Sequence, residues 1–256
     1  MKYDNAILVF SVLAIAFYVF SCILLLLKKC KVSYFALFSG LICNAAVFVI
    51  HWIANGYPPF ANIYQILCSL SICLLIIAAV IIKINPQYDW LKIYFRFTAV
   101  IPLIGTLFME NDVEWALVPA LQSPYFVPHV LSYIIGYSVA AISFLMSVRY
   151  LVYRKDREKS SDAAVTLVRV ALPFMINGLT LGAIWADQIW GNFWQWDVKE
   201  VWSLITCVIY LCGLHLAGKK HNTILNILFI IGFAALIVTF LFVNILPSDG
   251  SMHVYS

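Results

Sequence analysis

Tryptophan is concentrated in one short stretch of the chain, WGNFWQWDVKEVW, which runs from Trp190 to Trp202. Four of the eight tryptophans lie here, because Trp194 and Trp196 come between Trp190 and Trp202. The charged tetrad, residues 197–200, lies between the third and the fourth of these tryptophans. An indole offers a broad apolar face for stacking and an N–H at its edge for hydrogen bonding. The stretch therefore has the composition needed to hold a flat, aromatic ligand.

Histidine is the second residue type with clear chemical potential, because imidazole is the commonest protein ligand of metal ions. Two imidazoles on opposite faces of a porphyrin iron are a recurring way of holding haem. The chain contains five histidines: His51, His129, His215, His221 and His253. Which of them can act together with the tryptophan stretch depends on the elements that position them.

The composition indicates a membrane protein. Of the 256 residues, 64% are hydrophobic and only 11% are charged, whereas a soluble domain carries roughly a quarter charged residues. Too little polar surface is present to cover a water-exposed protein of this size. The seven cysteines lie within or beside apolar segments, and none forms a Cys-x-x-Cys pair, so we expect neither disulfides nor a zinc site.

We predict an all-α, polytopic fold in which residues 1–256 form a single transmembrane domain of about eight helices. The apolar segments are too long for barrel strands and lack a two-residue alternation, and helices satisfy their own backbone in lipid. The predicted spans are residues 5–27, 34–54, 63–82, 94–110, 129–153, 164–186, 198–217 and 223–246. The fourth is short and contains Arg96 and Pro102.

The basic residues predict the orientation of these spans. Fourteen of the sixteen lysines and arginines fall on one side, and only Lys2 and Lys199 fall on the other. The positive-inside rule makes the basic side cytoplasmic, so both termini and the tryptophan loop at 187–202 are predicted to face outward. The net charge of +4 then reflects topology signals and contacts with anionic lipid, not a nucleic-acid surface.

This topology places two histidines on the same side as the tryptophan loop. His129 opens the fifth helix after Pro128, and His253 lies in the outer tail, so the two imidazoles and the indoles could form a surface haem pocket. Lys199 could pair with a haem propionate. Composition alone favours a simpler alternative, in which His253 is a spectator in the tail and the tryptophans belong to an aromatic belt at the membrane interface.

The remaining histidines lie elsewhere. His215 is thirteen residues beyond Trp202, about 20 Å deeper along the seventh helix, where an ionisable residue is usually functional; the alternative is an inner-interface residue near Lys219. His221 belongs to the basic inner loop. His51 lies near the outer end of the second helix, where packing at the interface is favoured over a role in the outer site.

The charged tetrad has a structural interpretation of its own. Asp197 precedes an apolar run and Glu200 follows three residues later, which is the pattern of a capping box at the start of a helix. A capped helix start does not exclude a function, because it would hold the neighbouring indoles rigidly.

The pattern W-G-x-x-W-x-W-D-x-K-E-x-W in residues 190–202 resembles the WWD signature of haem-handling membrane proteins, in the form found in the CcsA (ResC) type of the system II cytochrome c biogenesis machinery. The resemblance extends to residues 56–64, where Gln65 follows in place of the usual glutamate, and to residues 119–129. His215 and the tail 243–255 also match, although the tail differs from the family's His-Ser-Tyr by an inserted valine.

The resemblance implies a function and a set of site residues. Haem b would enter at an inner site involving His215 and reach an outer site in which His129 and His253 bind the iron. The WWD loop would lie against the ring, through residues that include Trp190, Trp194, Trp196, Asp197 and Trp202. There the haem vinyl groups would form thioethers with the cysteines of an apocytochrome c Cys-x-x-Cys-His motif, so that this protein acts as a holocytochrome c synthase (haem lyase) subunit without a nucleophile of its own.

The resemblance also implies a partner and a location. A CcsB (ResB) type membrane subunit would complete the synthase in the plasma (inner) membrane, with the loop facing the periplasm or the outside; a thylakoid membrane is the alternative. Two other functions stay open. One is a CcmC-like haem exporter that passes haem to a separate chaperone, and the other is a structural membrane protein with an aromatic belt.

Overall fold

The computed structural model of the chain describes residues 3–109, 116–217 and 223–242. Every regular element within these ranges is helical, which confirms the predicted all-α, polytopic class. The α-helices are α1 (Asp4–Leu26), α2 (Cys30–Asn55), α3 (Ile63–Ile84), α4 (Lys92–Thr106), α5 (Phe126–Val152), α6 (Arg157–Trp190), α7 (Val198–Leu216) and α8 (Thr223–Ile237). Each of the eight predicted spans corresponds to one of them.

Seven of the described helices are long and apolar enough to cross a membrane. The exception is α4, whose 15 residues give a length of about 22 Å, less than the ~30 Å of a hydrocarbon core. The α8 segment is long enough because a π-helical turn continues it, so that 19 residues, Thr223–Leu241, are helical. A 3-10 helix over Pro86–Leu91 precedes α4 and lengthens the helical segment. A crossing by α4 stays a prediction, as does the outward location of both termini that depends on it.

The chain divides into two compact units, residues 1–122 with α1–α4 and residues 123–256 with α5–α8. In the first unit, α1 packs against α2 and α4, and α3 packs against α2 and α4. In the second unit, α5 and α6 form the most extensive helix pair, and α8 packs against α5 and α7. The tryptophan loop and His129 both belong to the second unit.

A buried arginine ties three helices of the first unit together. Arg96 of α4 is only 2% exposed, and its Nη1 donates to the hydroxyls of Ser21 on α1, at 2.9 Å, and of Ser33 on α2. The guanidinium also lies over the Tyr34 ring, 4.7 Å from its centroid. These contacts offset the desolvation of a charge in an apolar interior.

Small residues and short polar side chains bring α5 and α6 close together, as is typical of membrane helices. The Ser143 hydroxyl donates to the carbonyl of Ala164 at 2.9 Å, and the Asn177 side chain donates to the Ser132 hydroxyl at 2.8 Å. Both bonds cross between the two helices. These bonds hold α5 against α6, whose last residue precedes the irregular part of the tryptophan loop.

The structure corrects the predicted limits of the sixth helix, because α6 extends beyond residues 164–186 at both ends. Its first turns take up most of the basic connector 154–162, where Ser160 and Ser161 are buried. Ser161 accepts a hydrogen bond from the Asn226 side chain of α8 at 2.9 Å. The polar stretch between the predicted fifth and sixth spans is therefore mostly helical, with its charged residues largely exposed and its two serines packed. At the other end, the irregular part of the predicted loop 187–202 shrinks to residues 191–197.

Candidate functional site

His129 lies in the first turn of α5, which begins at Phe126, three residues before the predicted start of the helix. Its side chain is half-buried. The ring Nδ1 is 2.8 Å from the backbone carbonyl oxygen of Gly178 on α6. Because a carbonyl oxygen can only accept, Nδ1 carries the proton, and Nε2 is the nitrogen whose lone pair can bind a metal ion.

An aromatic cluster surrounds this imidazole. The Trp185 indole stacks on it, with ring centroids 5.9 Å apart and an interplanar angle of 24°, and Tyr133 meets it edge-on at 5.1 Å. Trp185 in turn contacts Phe126 at 5.7 Å and Trp190 at 5.0 Å. Through Trp185, the structure thus connects His129 to the first tryptophan of the predicted loop.

The loop begins where α6 ends. Gly191 has a φ of 72°, the left-handed conformation that commonly ends a helix and that glycine adopts without strain. Further along, Trp194 and Trp196 meet edge to face with ring centroids 5.8 Å apart. Trp194 is half-buried, whereas Trp196 is 70% exposed and Phe193 is 53% exposed. The loop therefore presents a large apolar surface next to the aromatic cluster.

A capping box fixes the other end of the loop, as predicted. The Asp197 carboxylate accepts from the backbone N–H of Lys199 at 2.8 Å, and the Glu200 carboxylate accepts from the backbone N–H groups of Asp197 and Gln195 at 3.2 and 2.9 Å. These bonds satisfy donors at the N-terminus of α7 that have no partner within the helix. They also hold the backbone on either side of Trp196.

Two features of the loop are energetically costly. Trp196 has a φ of 59°, a left-handed conformation that costs a bulky L-residue about 1–3 kcal/mol. The indole Nε1 of Trp194 is buried without a hydrogen-bond acceptor among the described residues, and an unpaired buried donor also costs free energy. Such features cluster at binding sites, where the strain belongs to the function.

Two of the remaining predicted residues lie on α7. Trp202 is on α7, where its carbonyl accepts from the Thr206 hydroxyl at 2.8 Å. His215 is exposed in the last turn of the same helix, about 20 Å along the axis from Trp202. His253 and His221 lie outside the described residues.

His51 lies one turn before the end of α2, where the sequence favoured packing at the interface. The ring is 1% exposed within the first unit and lies 5.3 Å from the Tyr64 ring, and its position relative to the membrane interface stays a prediction. Both of its ring nitrogens lack a hydrogen-bond partner among the described residues. The ring is therefore shielded from solvent, with the Tyr64 side chain beside it.

Sequence reasoning missed Trp185, the residue that joins His129 to the loop. The available signal was its position one residue before the predicted end of the sixth span, at the level where His129 opens the fifth. It was overlooked because only the tryptophans of the continuous stretch were treated as candidates. Gly182 makes room for the imidazole and Gly178 makes room for the Tyr133 ring, and neither glycine carries a sequence signal of its own.

The helices and this site define a multi-pass helical membrane protein whose second unit carries an imidazole stacked on an indole, next to a tryptophan-rich loop. Residues 5–249 match the family model described as cytochrome C assembly protein. The chain belongs to this family, and the CcsA-type resemblance of its sequence is confirmed.

Individual relatives carry the same description. The chain is 28% identical to the cytochrome c biogenesis protein CcsA of Guillardia theta over 235 residues, or 78% of each chain. It is 26% identical to the protein of that name from Chlorella vulgaris over 257 residues, or 81% of each. The match to the Chlamydomonas reinhardtii CcsA is 27% identical over 185 residues, 65% of this chain and only about half, 52%, of that protein. These similarities support a role in cytochrome c biogenesis.

Proposed function

We propose that this chain is the CcsA subunit of a system II cytochrome c synthase, which carries haem to the outer membrane face and there attaches it covalently to apocytochrome c. The observation that carries the proposal is the imidazole of His129, with Nδ1 bonded to a carbonyl and the ring stacked on an indole. A histidine held in this way is suited to axial ligation of haem iron through Nε2. Its attachment to the tryptophan loop supplies the apolar face for the porphyrin.

In this proposal the chain binds and orients haem, and the thiols come from the substrate. Each cysteine thiol of the Cys-x-x-Cys-His motif adds across one vinyl double bond, with the sulfur bonding to carbon and the proton passing to the neighbouring carbon. No oxidant is consumed. The task of His129, His253 and the loop is to hold haem b so that its vinyl groups face the docked peptide, which lowers the entropic part of the barrier.

The exposed apolar surface of Phe193 and Trp196 suits a loop that lies against a porphyrin or against a bound peptide. Lys199, at the start of α7, supplies a cation for a propionate. His215, at the opposite end of α7, would bind haem at the inner site. A CcsB (ResB) type subunit would supply the large outer domain that an unfolded cytochrome requires.

The test is the haem content of the complex purified from membranes. His129→Gly should remove haem from the outer site, and added imidazole should restore part of it and part of the cytochrome maturation. His221→Gly, in the predicted basic inner loop, is the matched control and should leave outer haem unchanged. Unaltered haem content in the His129 variant would refute the assignment.

A thioether assay separates the synthase from the CcmC-like alternative. The complex of this chain with its CcsB-type partner should convert an apocytochrome c with an intact Cys-x-x-Cys-His motif into a product whose haem survives acid–acetone extraction. Transfer of haem to a separate chaperone without any thioether product would instead favour the exporter. A colourless, haem-free complex would favour a structural role for the aromatic residues.

A further inference from the structure

The imidazole of His129 occupies a notch on the surface of α6, which we call the His129 seat and define by Gly178, Gly182 and Trp185. The Gly178 carbonyl oxygen is 2.8 Å from Nδ1. Trp185 covers one face of the ring at a centroid distance of 5.9 Å. The imidazole is therefore restrained in direction by a hydrogen bond and in tilt by a stacked indole.

Gly182 makes room for the ring. A Cβ at this position would lie 2.6 Å from Cε1 and 2.7 Å from Nδ1 of His129, and 3.6 Å from Nε2. Carbon atoms do not approach an aromatic ring to 2.6 Å, so any other residue at 182 would force the imidazole off its carbonyl acceptor. The opposing atoms belong to a ring held by α5, not to the end of a flexible chain.

Gly178 performs a related task one turn away on α6. A Cβ there would lie 3.0 to 3.1 Å from the ring of Tyr133, the residue that meets the imidazole edge-on. The two glycines let α5 approach α6 closely enough for the Nδ1 hydrogen bond to form. The seat thus selects both the tautomer of His129 and the direction in which Nε2 points.

We propose that Gly182 and the backbone carbonyl of Gly178 are positioning residues of the outer haem site, acting through His129 to present Nε2 to the iron. This inference rests on the proposed role of His129 as an axial ligand. An acceptor that is hydrogen-bonded to the non-ligating nitrogen of a metal-bound histidine fixes the ring and raises its basicity. Here the acceptor is the backbone carbonyl of Gly178 in α6. The imidazole fits against α6 only because Gly182 has no side chain.

The test compares Gly182→Ala with Gly136→Ala in the complex with its partner subunit. Gly136 is a matched control because it lies in the same α5–α6 contact, where an added Cβ would meet Met175 Cγ at 2.9 Å without touching His129. Gly182→Ala should lower outer-site haem at least tenfold, and added imidazole should restore part of it. Gly136→Ala should retain the haem content and spectrum of the unaltered protein.

A double variant covers the case in which Gly182→Ala fails to fold. In His129→Ala/Gly182→Ala the space left by the ring accommodates the new methyl group, so the melting temperature should return to that of His129→Ala alone. With imidazole added, the haem content of the two His129→Ala proteins should be equal. Continued loss of stability in the double variant would place the clash elsewhere and overturn the inference.

The possible failures are distinguishable. Haem retained in full by Gly182→Ala overturns the inference, and so does an equal loss of haem in Gly136→Ala, since that loss would come from helix packing in general. Haem that is unaffected by His129→Gly refutes the proposed function itself, before the glycine variants are compared.

Discussion

The imidazole of His129 and the indole of Trp185 lie nearly parallel, with ring centroids 5.9 Å apart and an interplanar angle of 24°. His129 comes from the first turn of α5 and Trp185 from the last turns of α6. The same indole contacts Trp190, where the loop begins. A single side chain therefore couples the candidate axial ligand to the tryptophan loop.

Removing this indole should weaken haem binding without unfolding the protein. An aromatic pair contributes ~0.5–1.5 kcal/mol beyond burial, so Trp185→Phe should lower haem affinity roughly two- to tenfold. Haem titration of the purified complex, followed by absorption, measures this change. Trp90→Phe, which alters the edge contact with Tyr94 in the first unit, is the control. Equal affinities for the two variants would contradict the coupling.

The capping box should stabilise the loop end of α7. Replacing an N-cap carboxylate by alanine costs about 0.5–2 kcal/mol, so Asp197→Ala should lower the melting temperature and Asp197→Asn should lower it less. Asp156→Asn is a suitable control, since the Asp156 side chain makes no cap hydrogen bond and lies 3.8 Å from Arg149 in a partly exposed pair, a contact worth little. Asparagine also tolerates the left-handed φ of 59° at this position, as aspartate does. An effect of Asp156→Asn as large as that of Asp197→Ala would argue against the capping role.

The left-handed backbone of Trp196 predicts an unusual response to glycine. Glycine adopts a φ of 59° without a Cβ clash, so Trp196→Gly should be more stable than Trp196→Ala by about 1 kcal/mol. The comparison of Gly with Ala isolates the backbone, because both variants lack the indole. Thermal unfolding measures the difference, and both proteins should bind less haem. A glycine variant no more stable than the alanine variant would show that this φ is not strained.

Replacing the buried Arg96 of the first unit should strongly destabilise the protein. Truncating a buried hydrogen-bonded charge or its partners is destabilising by several kcal/mol, so Arg96→Ala should markedly lower the melting temperature. Arg169, an exposed arginine on α6, provides the control, and Arg169→Ala should stay near the unaltered value. The buried thiol of Cys22 on α1 offers a second readout, since it should react faster with maleimide in Arg96→Ala. Unchanged stability and reactivity would mean that Arg96 does not hold the unit together.

The predicted orientation can be tested by cysteine labelling. In a variant lacking the seven native cysteines, Asn192→Cys in the loop should react with a membrane-impermeant maleimide added outside intact cells. Lys155→Cys, in the short connector between α5 and α6, should react only after permeabilisation. The reverse pattern would place the tryptophan loop on the cytoplasmic side and would refute the outer haem site.

Much of the fold followed from the sequence because lipid leaves few choices. Apolar length set the number of helices, and the pattern from Asp197 to Glu200 set the start of α7. The limits of α6 did not follow, because its first turns are polar and pack through contacts such as the hydrogen bond from Asn226 on α8 to Ser161. Hydropathy alone cannot anticipate such contacts.

The site was predictable in its residue types but not in its assembly. The tryptophan pattern marked the loop, and topology placed His129 near it. The role of Trp185 and the existence of the His129 seat depend on how closely α5 approaches α6, which is a property of packing. Likewise, nothing in the sequence indicated that the His51 ring is buried.

The brevity of α4 has a consequence for the lipid around the first unit. Three of its side chains and two of the turn after it are large, apolar and exposed: Phe97, Ile101, Ile104, Leu107 and Phe108. If α4 crosses the membrane, its hydrophobic length is shorter than that of the longer helices. Hydrophobic mismatch of this kind is relieved by local thinning of the bilayer. The bilayer would then be locally thinner next to α4 than around the other helices. Membranes with short acyl chains would accommodate the protein with the least deformation.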